Sequence, residues 1–154
     1  MELNRNVFEQ IPVTDIQLRG WALRQLQIQA NGISGTLCDF WPDVKDSAWI
    51  GGDKDGWERV PYWLDGYIPL AFLLKREDMI EKARYYIDTI ISRQSEDGWI
   101  MPGDHKRDIW GYILMCKVFT VWYDMTGDDR IETVLYNALM ILDRHTESEL
   151  LFKW

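Results

Sequence analysis

The chain has only two cysteines, Cys38 and Cys116, far apart and in no CxxC pattern, which excludes a disulfide framework and a zinc finger. Both are expected to be reduced. There is no basic stripe: seventeen Lys and Arg are scattered among twenty-five Asp and Glu, for a formal net charge of −8. That balance argues against nucleic acid or any other polyanion as a partner. There is no long hydrophobic run either. The longest apolar stretch, Ile109 to Met125, is interrupted by Gly111, Lys117, Thr120 and Asp124, so no membrane span is expected. Met1 to Asp15 mixes charged and polar residues with no basic-then-apolar order, so no signal peptide is expected and a cytoplasmic location is favoured.

Aromatic residues, by contrast, are abundant. Nine Trp, seven Tyr and five Phe make up 14% of the 154 residues, within a composition 47% hydrophobic and 27% charged that fits one soluble domain over residues 1–154. Trp and Tyr fill helical cores, and they also form flat platforms for the C–H faces of sugar rings. Composition alone favours the core.

Hydrophobic periodicity predicts an all-α chain of five helical segments: Leu18–Ile33, Pro61–Lys75, Asp78–Gln94, Asp108–Thr126 and Asp129–Arg144. The third and fifth are striped on one face, through Met79, Ala83, Tyr86, Ile87, Ile90 and Ile91 and through Ile131, Val134, Leu135, Ala138, Ile141 and Leu142. The second and fourth are apolar nearly all round. A helix apolar on every side must be covered on every side, so the pattern predicts inner helices alternating with outer ones. At an offset of 51 residues Ile80, Tyr85, Ile90 and Arg93 fall on Ile131, Tyr136, Ile141 and Arg144, a faint repeat of the kind expected for stacked or closed α/α hairpins.

Within each hairpin the turn is short, at Lys75–Glu77 and Gly127–Asp128. The segments entering the inner helices, Cys38–Val60 and Ser95–Arg107, are long and rich in Trp, Asp and Gly, and are expected to meet at one end of the array. Candidate binding residues are therefore Trp57, Glu58, Tyr62, Trp63, Asp65, Trp99, Asp108 and Trp110. Rings would hold a sugar face while carboxylates take its hydroxyls. Each has a plainer explanation: Glu58, Asp65 and Asp108 flank helix starts, where the dipole favours acids, and any one tryptophan can be core. Asp53 and Asp55 among Gly51, Gly52 and Gly56 lack the ligand spacing of a calcium loop. His105 reads as solvated and Cys116 as core.

The run Trp57-Glu58-Arg59-Val60-Pro61-Tyr62-Trp63-Leu64-Asp65-Gly66-Tyr67-Ile68-Pro69-Leu70-Ala71, preceded by Ser47-Ala48-Trp49-Ile50-Gly51-Gly52 and followed by Gln94 to Trp99, resembles the N-terminal part of the glycoside hydrolase family 127 superfamily, β-L-arabinofuranosidase-like enzymes. The resemblance implies helical hairpins of an incomplete (α/α)6 toroid, with the pocket at the N-terminal ends of the inner helices. It implies a cysteine nucleophile in a zinc site with further cysteines and a glutamate, and neither Cys38 nor Cys116 matches those residues. The catalytic set is thus expected beyond Trp154, with no cofactor within this chain and zinc in a full-length member. Where family members show a His-Glu-Leu-Tyr-like helix start, this chain has Arg107-Asp108-Ile109-Trp110. The implied partner is an arabinose-containing plant-type glycan. A closed toroid needs about 300 residues, so either the remainder of the barrel or another copy is expected to cover the open apolar edge. Two functions follow: a glycosidase fragment supplying part of a sugar pocket, or a non-catalytic carbohydrate-binding or assembly module.

Overall fold

The computed structural model describes residue 8, residues 11–103 and residues 109–148, and among these the chain is all-α with no β-strand. The stretch expected as one helix over Leu18–Ile33 is divided. Helix α1 (Gly20–Asn31) ends where Gly32 takes an extended backbone, and α2 (Ile33–Phe40) follows at once. Gly35 lies inside α2, where a Cβ would fall 1.7 Å from the Ala30 carbonyl oxygen. The expected long loop from Cys38 is correspondingly shorter, because Pro42 opens the single-turn α3 (Pro42–Lys45) and a 3₁₀ turn occupies Ala48–Ile50.

Two helical hairpins make up the rest, α4 (Arg59–Leu73) with α5 (Glu77–Ser92) and α6 (Trp110–Thr126) with α7 (Arg130–Ser148). Helix α4 packs on α6, α5 on α4 and α7 on α6, while α1, α2 and α3 cover another side of α4. Three contacts climb α4 and α6 in step: Glu58 with Trp110, Asp65 with Lys117, and Phe72 with Trp122. Both partners advance together, so the two helices run parallel and their N-termini share one end.

The core lies between these helices. Leu64, Ile68 and Ala71 of α4 share one buried cluster with Tyr112, Met115, Phe119 and Trp122 of α6, all essentially without solvent exposure. Each large side chain buried this way contributes about 1.5–3 kcal/mol. Of the buried phenols, Tyr86 donates to the Val44 carbonyl at 3.0 Å and Tyr112 to the Ala138 carbonyl at 2.7 Å. The stripes read from sequence on α5 and α7 face inward: Met79, Ala83, Tyr86, Ile87 and Ile90, and Ile131, Val134 and Ala138, are buried, while Ile91, Leu135, Ile141 and Leu142 are half-buried against the core. Helix α6 departs from expectation. It is not covered all round: Trp110, Ile113, Lys117 and Thr120 form an open stripe, because α4 and α7 occupy only two of its sides. No helix among the described residues is long and apolar enough to cross a membrane.

The turn between α6 and α7 shows how the second hairpin is fixed. Gly127 adopts the left-handed conformation (φ 66°) that ends α6. The Asp128 carboxylate then accepts from the Trp122 indole at 3.1 Å, from the Arg130 amide at 3.3 Å and from the Arg130 guanidinium at 2.6 and 2.8 Å. Arg130 also reaches Asp88 at 2.7 Å, tying α7 to α5. The Arg130 side chain, aided by the Trp122 indole, holds the Asp128 carboxyl down at about 2, against an ordinary 3.8.

Asp128→Ala leaves the buried Trp122 indole N–H without its acceptor and should cost about 1–3 kcal/mol in urea unfolding. The folded-state value is depressed, so the carboxylate's stabilisation is complete above the unfolded value of 3.8 and is lost as pH falls toward about 2. The variant should therefore lose stability less steeply than the parent across that window.

Candidate functional site

The shared end of α4 and α6 is built by the loop from Asp46 to Glu58. Ser47 is fully buried and anchors it: its hydroxyl donates to the Asp55 carbonyl and accepts from the Trp49 amide at 3.3 Å, while its carbonyl accepts from the Gly52 amide at 2.9 Å. Gly52 is required, since a Cβ there would lie 1.8 Å from the Asp46 carbonyl oxygen. The buried Trp49 indole donates to the Trp57 carbonyl at 3.0 Å. Asp55 uses both carboxylate oxygens on backbone amides, of Trp57 at 3.1 Å and Arg59 at 3.2 Å, and so caps the start of α4. Asp55 thus performs cap chemistry and Gly52 turn chemistry.

With Asp55 serving as the cap, Glu58 makes no capping bond and is free to turn sideways. Its carboxylate accepts from the Trp110 indole at 3.0 Å and lies 3.6 Å from the Arg59 guanidinium. Two helical turns on, Asp65 accepts from Lys117 at 2.7 Å. Tyr62, four residues after Glu58 and three before Asp65, shares their face of α4, and Ile113 stands between Trp110 and Lys117 on α6. Tyr62 is 48% exposed and Trp110 40%. Gly111 lets α6 approach this closely, because a Cβ there would sit 2.5 Å from the Trp57 carbonyl oxygen. The result is an open surface of two aromatic rings, two carboxylates and two cations.

The other sequence candidates lie elsewhere. Trp57 is half-buried beneath the surface, its indole N–H enclosed with no hydrogen-bond partner among the described residues. Trp63 is core: it donates to the Ser34 carbonyl at 3.1 Å and packs 4.4 Å from the Tyr67 ring. Trp99, 6% exposed, packs 4.6 Å from Tyr112 and 5.6 Å from His145. Its turn has a packing role. Gln94 donates to the Gly98 and Val134 carbonyls, both at 3.0 Å, and Gly98 (φ 96°) leaves no room for a Cβ against the Asn137 carbonyl. Asp108 lies outside the described residues. Sequence reading missed Lys117 and Arg59, although Lys117 is the sole cation of α6 and stands seven residues, two helical turns, after Trp110.

The thiols are not poised for nucleophilic work. Burial pushes the Cys116 thiol up to about 12 and raises that of Cys38 despite neighbouring Lys82. Among the described residues no three His, Cys, Asp or Glu side chains gather to hold a metal ion. No protein-family model, curated protein or solved structure matches the chain.

Gly111→Ala should force α6 off the Trp57 carbonyl and cost about 1–3 kcal/mol, visible as a lower denaturation midpoint and a changed Trp110 environment in fluorescence. Cys116 should resist alkylation at pH 8 in the folded protein and react fully in denaturant, as expected of a thiol pushed up to about 12.

Proposed function

We propose that this chain supplies part of the sugar-binding wall of a β-L-arabinofuranosidase-like glycoside hydrolase. The observation that carries the reading is the Glu58–Trp110 pair, with Tyr62 beside it on the same face, at the shared N-terminal end of α4 and α6. Exposed indole and phenol rings suit the C–H faces of a sugar, and carboxylates suit its paired hydroxyls. In this reading the α4–α5 and α6–α7 hairpins are consecutive units of an (α/α)6 toroid. The part-exposed Ile113, Tyr123, Tyr136 and Leu139 then belong to an edge covered by the remainder of the barrel or by another copy. The resemblance puts the cysteine nucleophile and its zinc ligands outside these residues, and no catalytic step is assigned to the residues present. The ligand class it implies is an arabinose-containing glycan.

One observation favours the second reading, a non-catalytic carbohydrate-binding module. One oxygen of Glu58 is already bonded to Trp110 and one of Asp65 to Lys117, an arrangement suited to holding a ligand rather than to moving protons.

Titration with L-arabinose-containing oligosaccharides, followed by tryptophan fluorescence, tests both readings. Trp110→Ala should weaken binding about tenfold, the equivalent of roughly 1.4 kcal/mol, and Glu58→Gln should weaken it less. Binding that neither substitution changes would sink the site. Turnover of an aryl β-L-arabinofuranoside by the 154-residue chain, with or without added zinc, would overturn the assignment of the chemistry to residues outside it.

A further inference from the structure

At the opposite end of α4, where the chain turns into α5, a cleft of about 280 Å³ lies between α1, α2, α4 and α5. Its polar lining is Asn31, Thr36, Asp39, Arg76, Asp78 and Lys82, with Tyr67 as its inner wall. Two cations face two carboxylates, so the lining carries no net charge. Arg76 is fully engaged, with Nε and Nη2 on Asp78 (2.7 and 2.5 Å) and Nη1 on the Asn31 side-chain oxygen at 3.4 Å. Lys82 donates to one oxygen of Asp39 at 2.6 Å.

Three polar groups stay unspent: the second oxygen of Asp39, the Asn31 amide nitrogen and the Tyr67 hydroxyl, none of which has a partner among the described residues. The last is the telling one. Tyr67 is 2% exposed, and a buried phenol ordinarily finds a protein partner, as Tyr86 and Tyr112 do here. Tyr67 instead lines the cleft. Burial raises its pKa, and the charges of Cys38, Asp78, Asp39 and Arg76 act on it next, three of these four residues lining the cleft.

We propose that this cleft binds one small neutral polyhydroxylated molecule, of monosaccharide or polyol size, through Tyr67, Asp39 and Asn31. An anion would have to displace Asp78 or Asp39 from its cation, and a cation would have to displace Arg76 or Lys82. A neutral polyol asks for neither. Its hydroxyls can donate to the free Asp39 oxygen and accept from the Tyr67 hydroxyl and the Asn31 amide, leaving both ion pairs whole. The volume falls just below the roughly 300–1,000 Å³ typical of drug-sized ligands and suits a single ring. This site is separate from the Glu58–Trp110 surface and does not rest on the function proposed for it.

The test is titration of the intact chain with D-glucose, L-arabinose and glycerol, beside D-glucuronate and D-glucosamine as charged counterparts, read by saturation-transfer NMR and by tryptophan emission. Trp63, 4.4 Å from the Tyr67 ring, is the local reporter. At least one neutral probe should bind more tightly than its charged counterparts. Tyr67→Phe, which removes one oxygen and keeps the packing, should weaken it about tenfold, the effect of one lost hydrogen bond. Tyr136→Ala, on the exposed face of α7 and in neither proposed site, should leave this binding unchanged. The proposal falls if no neutral probe binds at millimolar concentration, if the charged probes bind better, or if Tyr67→Phe binds as the parent does while its unfolding midpoint is unaltered. Loss of binding in Trp110→Ala with retention in Tyr67→Phe would move the sugar to the first surface and overturn this one.

Discussion

The parallel packing of α4 on α6 is the constraint on which the rest of the structure depends. Parallel neighbours need a return stroke, and α5 provides it; α7 does the same service beyond α6. The arrangement sets two helix N-termini, each equivalent to roughly half a positive charge, side by side. Acidic side chains are stabilised there before any ligand is considered. Asp55 answers that demand directly by taking two backbone amides at the start of α4. Glu58, relieved of capping, is left to bridge to α6 through Trp110. Close approach at this end also fixes glycine at position 111, since the Trp57 carbonyl occupies the space a side chain would need.

What could be read from the sequence follows from what periodicity encodes. Met79, Ala83, Tyr86, Ile87 and Ile90, and Ile131, Val134 and Ala138, were legible because one striped helix needs only one covered face. The division at Gly32 was half legible: glycine marked the end of α1, but nothing local told that Gly35 serves a contact inside a new helix. The open stripe of α6 was not legible at all, because apolar character says that a side wants cover without saying which neighbour supplies it. The same limit governs the tryptophans. Trp63, Trp99 and Trp110 look alike in a sequence, yet the first two are buried and the third stands at the surface. Direction came from long-range packing, on Ser34 and Tyr67 for Trp63 and on Tyr112 for Trp99.

The two ends of α4 are chemically unlike. One presents rings and carboxylates to open space, with Tyr62 and Trp110 substantially exposed. The other closes around paired charges, Arg76 with Asp78 and Lys82 with Asp39, and keeps one phenol in reserve. A ring-faced surface favours an extended partner that lies across it, whereas a cleft walled by ion pairs admits only something small. The open surface and the cleft thus occupy different sides of one helix of fifteen residues, about 22 Å long.

The bridges between hairpins all reach a similar distance along the chain: 52 residues for Glu58 to Trp110 and for Asp65 to Lys117, 42 for Asp88 to Arg130, and 40 for Gln94 to Val134. Each therefore joins a hairpin to its immediate successor. The second hairpin is therefore held to the first by hydrogen bonds spread along its length, from Trp110 to Val134, so the loss of any one bridge leaves the others in place.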